Sequence, residues 1–456
     1  MMVAEDDMRD QLARDMAGDT LVLGVGSTGA SVARHLARQG REAVFADTRA
    51  DADTRAVLKA LPGSVTHLGD LTRVDLETVG RIVASPGIAP HEPFLARAEA
   101  AGVPIVSDID LFCDAAQAPI VAVTGSNGKS TVVSLVAALC EHAGISAAAG
   151  GNLGTPALDL IDRPVPAFYV LELSSFQLQR TSTLDAYCAS VLNITPDHLD
   201  WHGDFEAYAA AKYRIYARCE YAVINADAPP PRGLIDNRAT LLSVTAGEPG
   251  QRQFGLRGRG GEAWLAFGER DLMPVSECRL AGRHNQVNAL AALAIGSAMD
   301  LPMSAMLDGL RDFAGLPHRH QRVARRHDVD WIDDSKATNS ASALASVGAV
   351  DGPVVLLAGG RGKGEDLAAF ARALPRHVTA CVAYGENRET LAQALRDAGL
   401  SCTVTETLVE AVAIAATLAG PGDTVLLAPA AASQDQFADY RERGRAFAAA
   451  VAELDT

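Results

Sequence analysis

Lys129 stands between a glycine and two hydroxyl residues in IVAVTGSNGKST, residues 120–131, the strongest chemical signal in the chain. An apolar strand runs into Gly125, Ser126, Asn127 and Gly128, and a helical pattern, Val132–Cys140, follows Ser130 and Thr131. Successive backbone N–H groups in such a loop cradle phosphates, the lysine reaches the terminal phosphates, and a hydroxyl can touch Mg²⁺. The general P-loop spacing puts glycine six residues before the lysine, but that place is Val123, so the loop is a shortened variant. Its strand–GKST–helix order points to ATP, and a plain surface turn leaves the lysine unexplained.

A second glycine loop lies upstream. TLVLGVGSTG, residues 20–29, sets Gly24, Gly26 and Gly29 as G-x-G-x-x-G between a strand and the helical stretch 30–39, with Asp47 after the next strand. Such a turn lets a diphosphate approach the backbone at a helix N-terminus, and by itself it reads as a dinucleotide site, hence a nicotinamide dehydrogenase. The bland alternative is a turn that only packs helix on strand.

Between the loops and the chain's end lie candidate ligands. Glu172 closes an apolar strand in LELSSFQL, a usual place for a Mg²⁺ ligand near a P-loop. NITPDHLDWHGDFEAY holds Asp197, His198, Asp200 and His202. Histidines four apart could bind zinc on a helix, but Leu199 stands where HExxH has its glutamate, and polar residues around a turn fit equally well. Lys212 and Arg214, in AAAKYRIY, read by default as solvated helix charges.

Elements that must position these residues alternate short β-rich runs with Ala/Leu-rich helical stretches, the α/β signature. Strands are expected at 20–23, 43–46, 81–84, 120–123, 169–173, 190–194, 221–224, 354–357 and 424–427. Many are continuous apolar runs, as in parallel strands buried on both faces. Residues 229–276, rich in Gly, Arg and Pro, look like a small antiparallel insertion. Breaks near Ser107 and Gly315 predict three nucleotide-type units, 1–107, 108–315 and 316–456. The 40 Lys+Arg against 56 Asp+Glu in 456 residues give −16, which argues against a general nucleic-acid or anionic-membrane binder. No apolar run nears 18 residues, the acidic N-terminus MMVAEDDMRD lacks a signal-peptide layout, and the seven cysteines form no CxxC pair. A cytoplasmic protein with reduced thiols is expected.

Taken in order, GVGSTG, ADTR, ASPGIAP, TGSNGKST, GGNLGTPAL, LELSSFQL, NITPDHLD, AAKYRIY, GRHNQVNALAA, GLPHR, DDSKATN, AGGRGKG and APAAASQDQF closely resemble the Mur ligase family, and most specifically its glutamate-adding members. The resemblance implies a Rossmann-like N-terminal domain that binds UDP rather than a dinucleotide, a P-loop central domain holding ATP and two Mg²⁺, and a Rossmann-like C-terminal domain presenting the amino acid. It implies an ATP-dependent amide ligase that joins D-glutamate to UDP-N-acetylmuramoyl-L-alanine through an acyl phosphate and releases ADP and phosphate. A relative using L-glutamate remains the alternative, with the dehydrogenase as a reading from another class. By the same resemblance Ser27, Thr28, Asp47, Thr48, Arg49, Ser85, Pro86 and Gly87 face the uridine diphosphate, and Asn152 orients the substrate. Lys129 contacts the β/γ-phosphates, Asn285 and Asn288 face ATP, Arg319 its phosphates and Asp334 the ribose. Glu172, His198 and Ser130 hold Mg²⁺, and Lys212 carries a CO₂-derived carbamate that helps hold the second ion. Lys336, Thr338, Lys363, Ser433 and Tyr440 take glutamate. Two segments depart from the pattern: GGRGK has Arg361, and APAAASQDQF has Ala428, Ala431 and Gln434, where an extra cation and a polar side chain suit a dicarboxylate. No nucleic-acid partner, no membrane insertion and a monomer are expected.

Overall fold

The computed structural model describes residues 19–61, 65–280, 282–362 and 364–454. Among them the strands form three sheets, of five, nine and six strands. The first is wholly parallel, in the order Val65–Leu68, Ala43–Asp47, Asp19–Leu23, Val79–Ala84, Ile105–Val106. Chain order reverses between Asp19–Leu23 and Val79–Ala84, so Gly24 and Ser85 both leave from the carboxyl side of this switch point, where open α/β sheets bind ligands.

In the nine-stranded sheet Ile120–Thr124 lies between Phe168–Glu172 and Ala186–Val191, all parallel. This strand is buried at every residue, as its unbroken apolar run predicts. The expected small insertion is not a separate unit. Thr240–Val244 adds to the sheet in parallel, Gln253–Arg259 pairs with it in parallel, and Glu262–Phe267 and Arg270–Pro274 continue the sheet antiparallel. The strand expected at 190–194 runs Ala186–Val191 instead. Asn193 has left the ladder to bracket the P-loop, exchanging bonds with the Asn127 backbone.

The six-stranded sheet runs Gln321–Arg326, Val329–Asp333, Thr424–Leu427, Val354–Gly359, Val378–Tyr384, Cys402–Val404, with only the first pair antiparallel. The architecture is a three-domain α/β fold of mainly parallel sheets flanked by helices.

How the units join differs. One apolar cluster runs from Val22, Phe45 and Val83 of the first sheet through Phe112 to Tyr169 and Leu171 of the second, with Phe112 edge-on to Tyr169 at 5.1 Å. Arg34 and Arg38 add ion pairs to Asp159 and Asp162 at 2.7 Å each. The third sheet instead has its own cores on its two faces. Polar contacts reach from this unit to the nucleotide loop and its surroundings: Arg319 to Ser130, Asn339 to Asp197 and Ser342 to Asn127. Apolar burial resists separation far more than a few half-exposed hydrogen bonds do, so the first two units are joined more firmly to each other than the third is to the second.

Candidate functional site: a P-loop cavity walled by two domains

The helix Lys129–His142 begins at the lysine because Gly128, with φ 83°, turns the chain into it, and any Cβ there would strike Asn288. The free N–H groups of its first turn face a cavity of about 580 Å³. Ser126, Asn127, Gly128, Lys129, Ser130 and Thr131 line it, with Asn152, Glu172, His198 and Lys212 from the same unit. Asn285 and Asn288 enter from the helix Arg283–Ala298, and Arg319, Asp334, Lys336 and Thr338 close it from the C-terminal unit. Gly125 contributes its carbonyl, which accepts from both Lys129 and Lys212.

Glu172 is 2% exposed at the end of its strand. Its carboxylate accepts from Ser130 Oγ at 2.5 Å and Asn152 Nδ2 at 2.6 Å, and Ser130 Oγ in turn accepts from Arg319 Nη2 at 2.7 Å. Burial alone would raise this carboxyl; Lys129, those two hydrogen bonds and Arg319 outweigh it and hold it below the ordinary glutamate range. An anionic carboxylate beside a hydroxyl is a hard oxygen set that suits Mg²⁺, which takes one or two protein carboxylates and completes its shell with water and phosphate.

Lys129 folds back on its own loop, donating to the Gly125 and Ser126 carbonyls at 2.8 Å each. Lys212, 2% exposed, donates to the Gly125 carbonyl at 2.9 Å, with its Nζ 4.8 Å from the centre of the Tyr208 ring. Burial, reinforced by Lys129, drives the Lys212 ammonium well below the ordinary lysine value. The default reading of Lys212 as a solvated helix charge is therefore wrong. It follows Tyr208 by one helical turn, so helix geometry turns both inward.

The two histidines separate in role. His198 has a left-handed backbone, φ 55°, and precedes the four-residue helix Leu199–His202, so the spacing of four does not set both rings on one helix face. Phe176 packs against both rings, and His202 Nε2 pairs with Ser175 Oγ at 3.0 Å. No group of three or more His, Cys, Asp or Glu residues converges on a metal position among the described residues. His198 alone of the pair lines the cavity.

In the C-terminal unit Lys336 Nζ sits 4.1 Å from the centre of the Tyr440 ring, at the start of the helix Tyr440–Glu453. Arg443 is wholly buried and donates to the carbonyls of Ser335, Ala431 and Ala432, tying the Lys336 loop to the loop that leads into buried Ser433. Asp334 is raised to about 6 by burial, against a hydrogen bond from Ser346 and the charge of Arg319. Lys363 lies outside the described residues. Arg361 does not offer an unpaired cation, for its Nε meets Glu386 at 3.3 Å, and Gln434 is exposed.

At the first sheet's switch point Gly29 lies so close to the Gly24 carbonyl that a Cβ would overlap it, whereas Gly26 faces open space. Asp47 is buried, accepting from the Val25 and Arg49 backbone N–H groups at 2.8 and 2.9 Å and from the Arg49 guanidinium. It thus shapes the loop, while Ser27, Thr48, Arg49 and Gly87 are exposed around it and Thr28 and Pro86 are half-buried. Ser85 ties the two loops by donating to the Gly24 carbonyl at 2.9 Å. These residues lie together at the switch point, apart from the lining of the P-loop cavity.

Sequence patterns did not single out Tyr208, whose hydroxyl pairs with Ser126 Oγ at 2.8 Å, nor His284, His320, Asn339 and Ser342 in the cavity wall. Tyr208 carried a usable signal, one turn before Lys212. His284 and Asn339 lie inside the segments GRHNQVNALAA and DDSKATN, beside Asn285 and Thr338, while His320 and Ser342 carried no signal, since they meet the cavity only where two units pack.

A P-loop cavity closed by a second α/β unit, beside a third with its own open glycine loop, defines a multidomain nucleotide-dependent ligase. Residues 18–107 match the Mur ligase MurD-like N-terminal domain, 123–296 the Mur ligase middle domain and 318–431 the Mur ligase glutamate ligase domain. The chain belongs to the Mur ligase family. It is 43% identical to UDP-N-acetylmuramoylalanine--D-glutamate ligase of Nitrosococcus oceani over 98% of this chain and 99% of that protein. The enzyme of that name from Pseudomonas aeruginosa is 45% identical over 95% of this chain and 98% of its own length. In fold it is similar to the UDP-N-acetylmuramate-alanine ligase of Thermotoga maritima, with a TM-score of 0.63 at 18% identity over 96% of this chain and 100% of that one.

Proposed function

We propose that this protein joins D-glutamate to UDP-N-acetylmuramoyl-L-alanine at the expense of ATP, in peptidoglycan precursor synthesis. The observation that carries the reading is the relay from Arg319 through Ser130 to Glu172, which links the C-terminal unit to the phosphate loop. Near-full-length identity to D-glutamate ligases supports the substrate assignment. Three domains at 1–107, 108–315 and 316–456 fit the three sheets and the matched spans.

A carboxylate is a poor electrophile, so ATP first phosphorylates the alanyl carboxylate. The amine of glutamate then attacks the acyl phosphate, and the tetrahedral intermediate expels phosphate. Bringing a carboxylate to a triphosphate needs positive charge in a confined site, which Lys129 and Arg319 supply. Mg²⁺, held by Glu172, Ser130 and His198, would neutralise phosphate charge. Asn285, Asn288 and Asp334 line the nucleotide side, and Asn152, bonded to Glu172, orients the incoming carboxylate. Ser27, Thr28, Asp47–Arg49 and Ser85–Gly87 hold the uridine diphosphate. Lys336, Thr338, Lys363, Ser433 and Tyr440 take D-glutamate.

Lys212 acts as a carbamate in this reading. Burial and the charge of Lys129 favour the neutral amine, whose lone pair can add to CO₂ with loss of one N–H proton, and the resulting anion would supply oxygen ligands for a second Mg²⁺. The protein contains no helix long and apolar enough to cross a membrane among the described residues, and a cytoplasmic monomer is consistent with cytoplasmic precursor chemistry. Purified protein given UDP-N-acetylmuramoyl-L-alanine, ATP and Mg²⁺ with each of several amino acids should release ADP and phosphate only with D-glutamate. Formation of AMP and pyrophosphate would reject the acyl-phosphate route.

A further inference from the structure

Arg180 ends the helix Ser175–Arg180, which starts three residues after Glu172. Its guanidinium leaves the central unit altogether. Nη1 donates to the Ser85 carbonyl at 3.0 Å and Nη2 to the Ile88 carbonyl at 2.5 Å, so one side chain grips both ends of the loop 85–88. That loop closes on itself through Ile88 N to the Ser85 carbonyl, 3.0 Å, and is fixed to the glycine loop by Ser85. The helix end bearing Arg180 is held from the opposite side. Arg214, two residues beyond Lys212, donates to the Leu178 and Thr181 carbonyls at 2.9 Å each.

We infer that Arg180 is a positioning residue: it sets the substrate-facing loop of the first domain in register with Glu172 and Lys212 of the second. The inference rests on the reading of residues 85–87 as a contact for the UDP-sugar. The apolar core already joins the two domains, so Arg180 is not needed to hold them together. Its two bonds instead fix one short loop at the switch point, and planar bidentate geometry sets direction as well as distance. Such direction matters in this reaction. The uridine end is held by the first domain while the alanyl carboxylate must come within about 3–3.5 Å of the phosphate it attacks, and a misplacement of about 1 Å can cost about 10²-fold.

The test uses the full-length protein and compares Arg180→Met, which keeps the apolar stem, with Arg180→Lys and with the control Arg218→Met. Arg218 makes a similar contact, to the Ser182 carbonyl, away from the loop. Expected for Arg180→Met is a kcat lowered roughly 10- to 100-fold, with the KM for ATP and the melting temperature unchanged. Arg180→Lys should recover part of kcat, and it carries the test if the methionine variant fails to fold. Arg218→Met should behave as wild type. Wild-type kcat in both Arg180 variants overturns the inference, as does a loss shared equally by kcat, ATP affinity and thermal stability, which would mark a structural role only. A wild-type protein that neither binds nor consumes UDP-N-acetylmuramoyl-L-alanine would instead overturn the ligase reading, and this inference with it.

Discussion

Lys129 and Lys212 donate to the same atom, the carbonyl oxygen of Gly125, at 2.8 and 2.9 Å. Two ammonium groups on one acceptor repel each other, and burial penalises both charges, so the pair is arranged to lose a proton. The groups differ in what relieves them. Lys129 is the P-loop lysine, and a triphosphate would restore its charge. Lys212 lies on the helix Phe205–Tyr213, and conversion to an anion would remove the conflict.

The first expectation follows from that asymmetry. Lys212→Ala should lose turnover by roughly 10²-fold or more, and formate or acetate at high concentration should restore part of it. Lys212→Arg should not be rescued, because a fixed cation still fills the position. Wild-type turnover in Lys212→Arg would reject the carbamate. Lys129→Ala should abolish turnover without rescue, while calorimetry still shows the UDP-sugar binding to the first domain.

Amino-acid choice should depend on charge. If Lys336 and Lys363 grip the two carboxylates, D-glutamine should react far more slowly than D-glutamate, since an unpaired cation in a desolvated pocket costs about 1–3 kcal/mol or more. Arg361, already paired with Glu386, should matter little: Arg361→Ala should change the KM for D-glutamate by less than about threefold, within the small worth of an exposed ion pair. A larger change would place Arg361 in the pocket.

Much of this was legible in sequence where one local rule decides the outcome. The P-loop strand is an unbroken apolar run, and Gly128 precedes a helix whose first residue is Lys129, so loop, strand and helix follow from neighbours in the chain. Glu172 could be placed at a strand end for the same reason. What failed was whatever depends on distant packing. The burial of Lys212 comes from Tyr208 and from the P-loop, whose Gly125 carbonyl it meets 87 residues away. The edge strands after residue 229 resemble an insertion because their alternation is short, although hydrogen bonding makes them part of the central sheet.

Stability should carry a signature of Asp108. This carboxyl is buried near the joint between the first two units, where burial raises it from 3.8 to about 6, opposed by a hydrogen bond from Gln177; one of its oxygens has no hydrogen-bond partner in the structure. A folded-state pKa above the unfolded one gives a contribution fully present below about pH 4 and lost as pH rises through about 6. The rise from 3.8 to about 6 corresponds to about 3 kcal/mol at most. Asp108→Asn should therefore be more stable than wild type at about pH 7.5, with the difference shrinking toward about pH 4. Denaturant titrations at several pH values would show it, and a pH-independent difference would exclude Asp108 as the source.

The last expectation separates two glycines of one motif. At Gly29 a Cβ would overlap the Gly24 carbonyl, a backbone atom held in place by Ser85 Oγ, so the chain cannot give way cheaply. Gly29 also lies inside the helix Ser27–Arg38, where alanine would ordinarily gain about 1 kcal/mol over glycine. Overpacking a rigid site costs about 1–3 kcal/mol, so the clash wins. Gly29→Ala should lower the melting temperature and weaken UDP-sugar binding together. A Cβ at Gly26 would meet nothing within 4 Å, and the φ of −84° there is open to any residue. Gly26→Ala should keep the wild-type melting temperature while raising the KM for the UDP-sugar several-fold, because the added methyl takes the space a diphosphate needs beside the helix N-terminus. Calorimetric melting and substrate titration of the two variants distinguish these outcomes. A Gly26→Ala protein with unchanged KM would show that the loop does not touch the diphosphate.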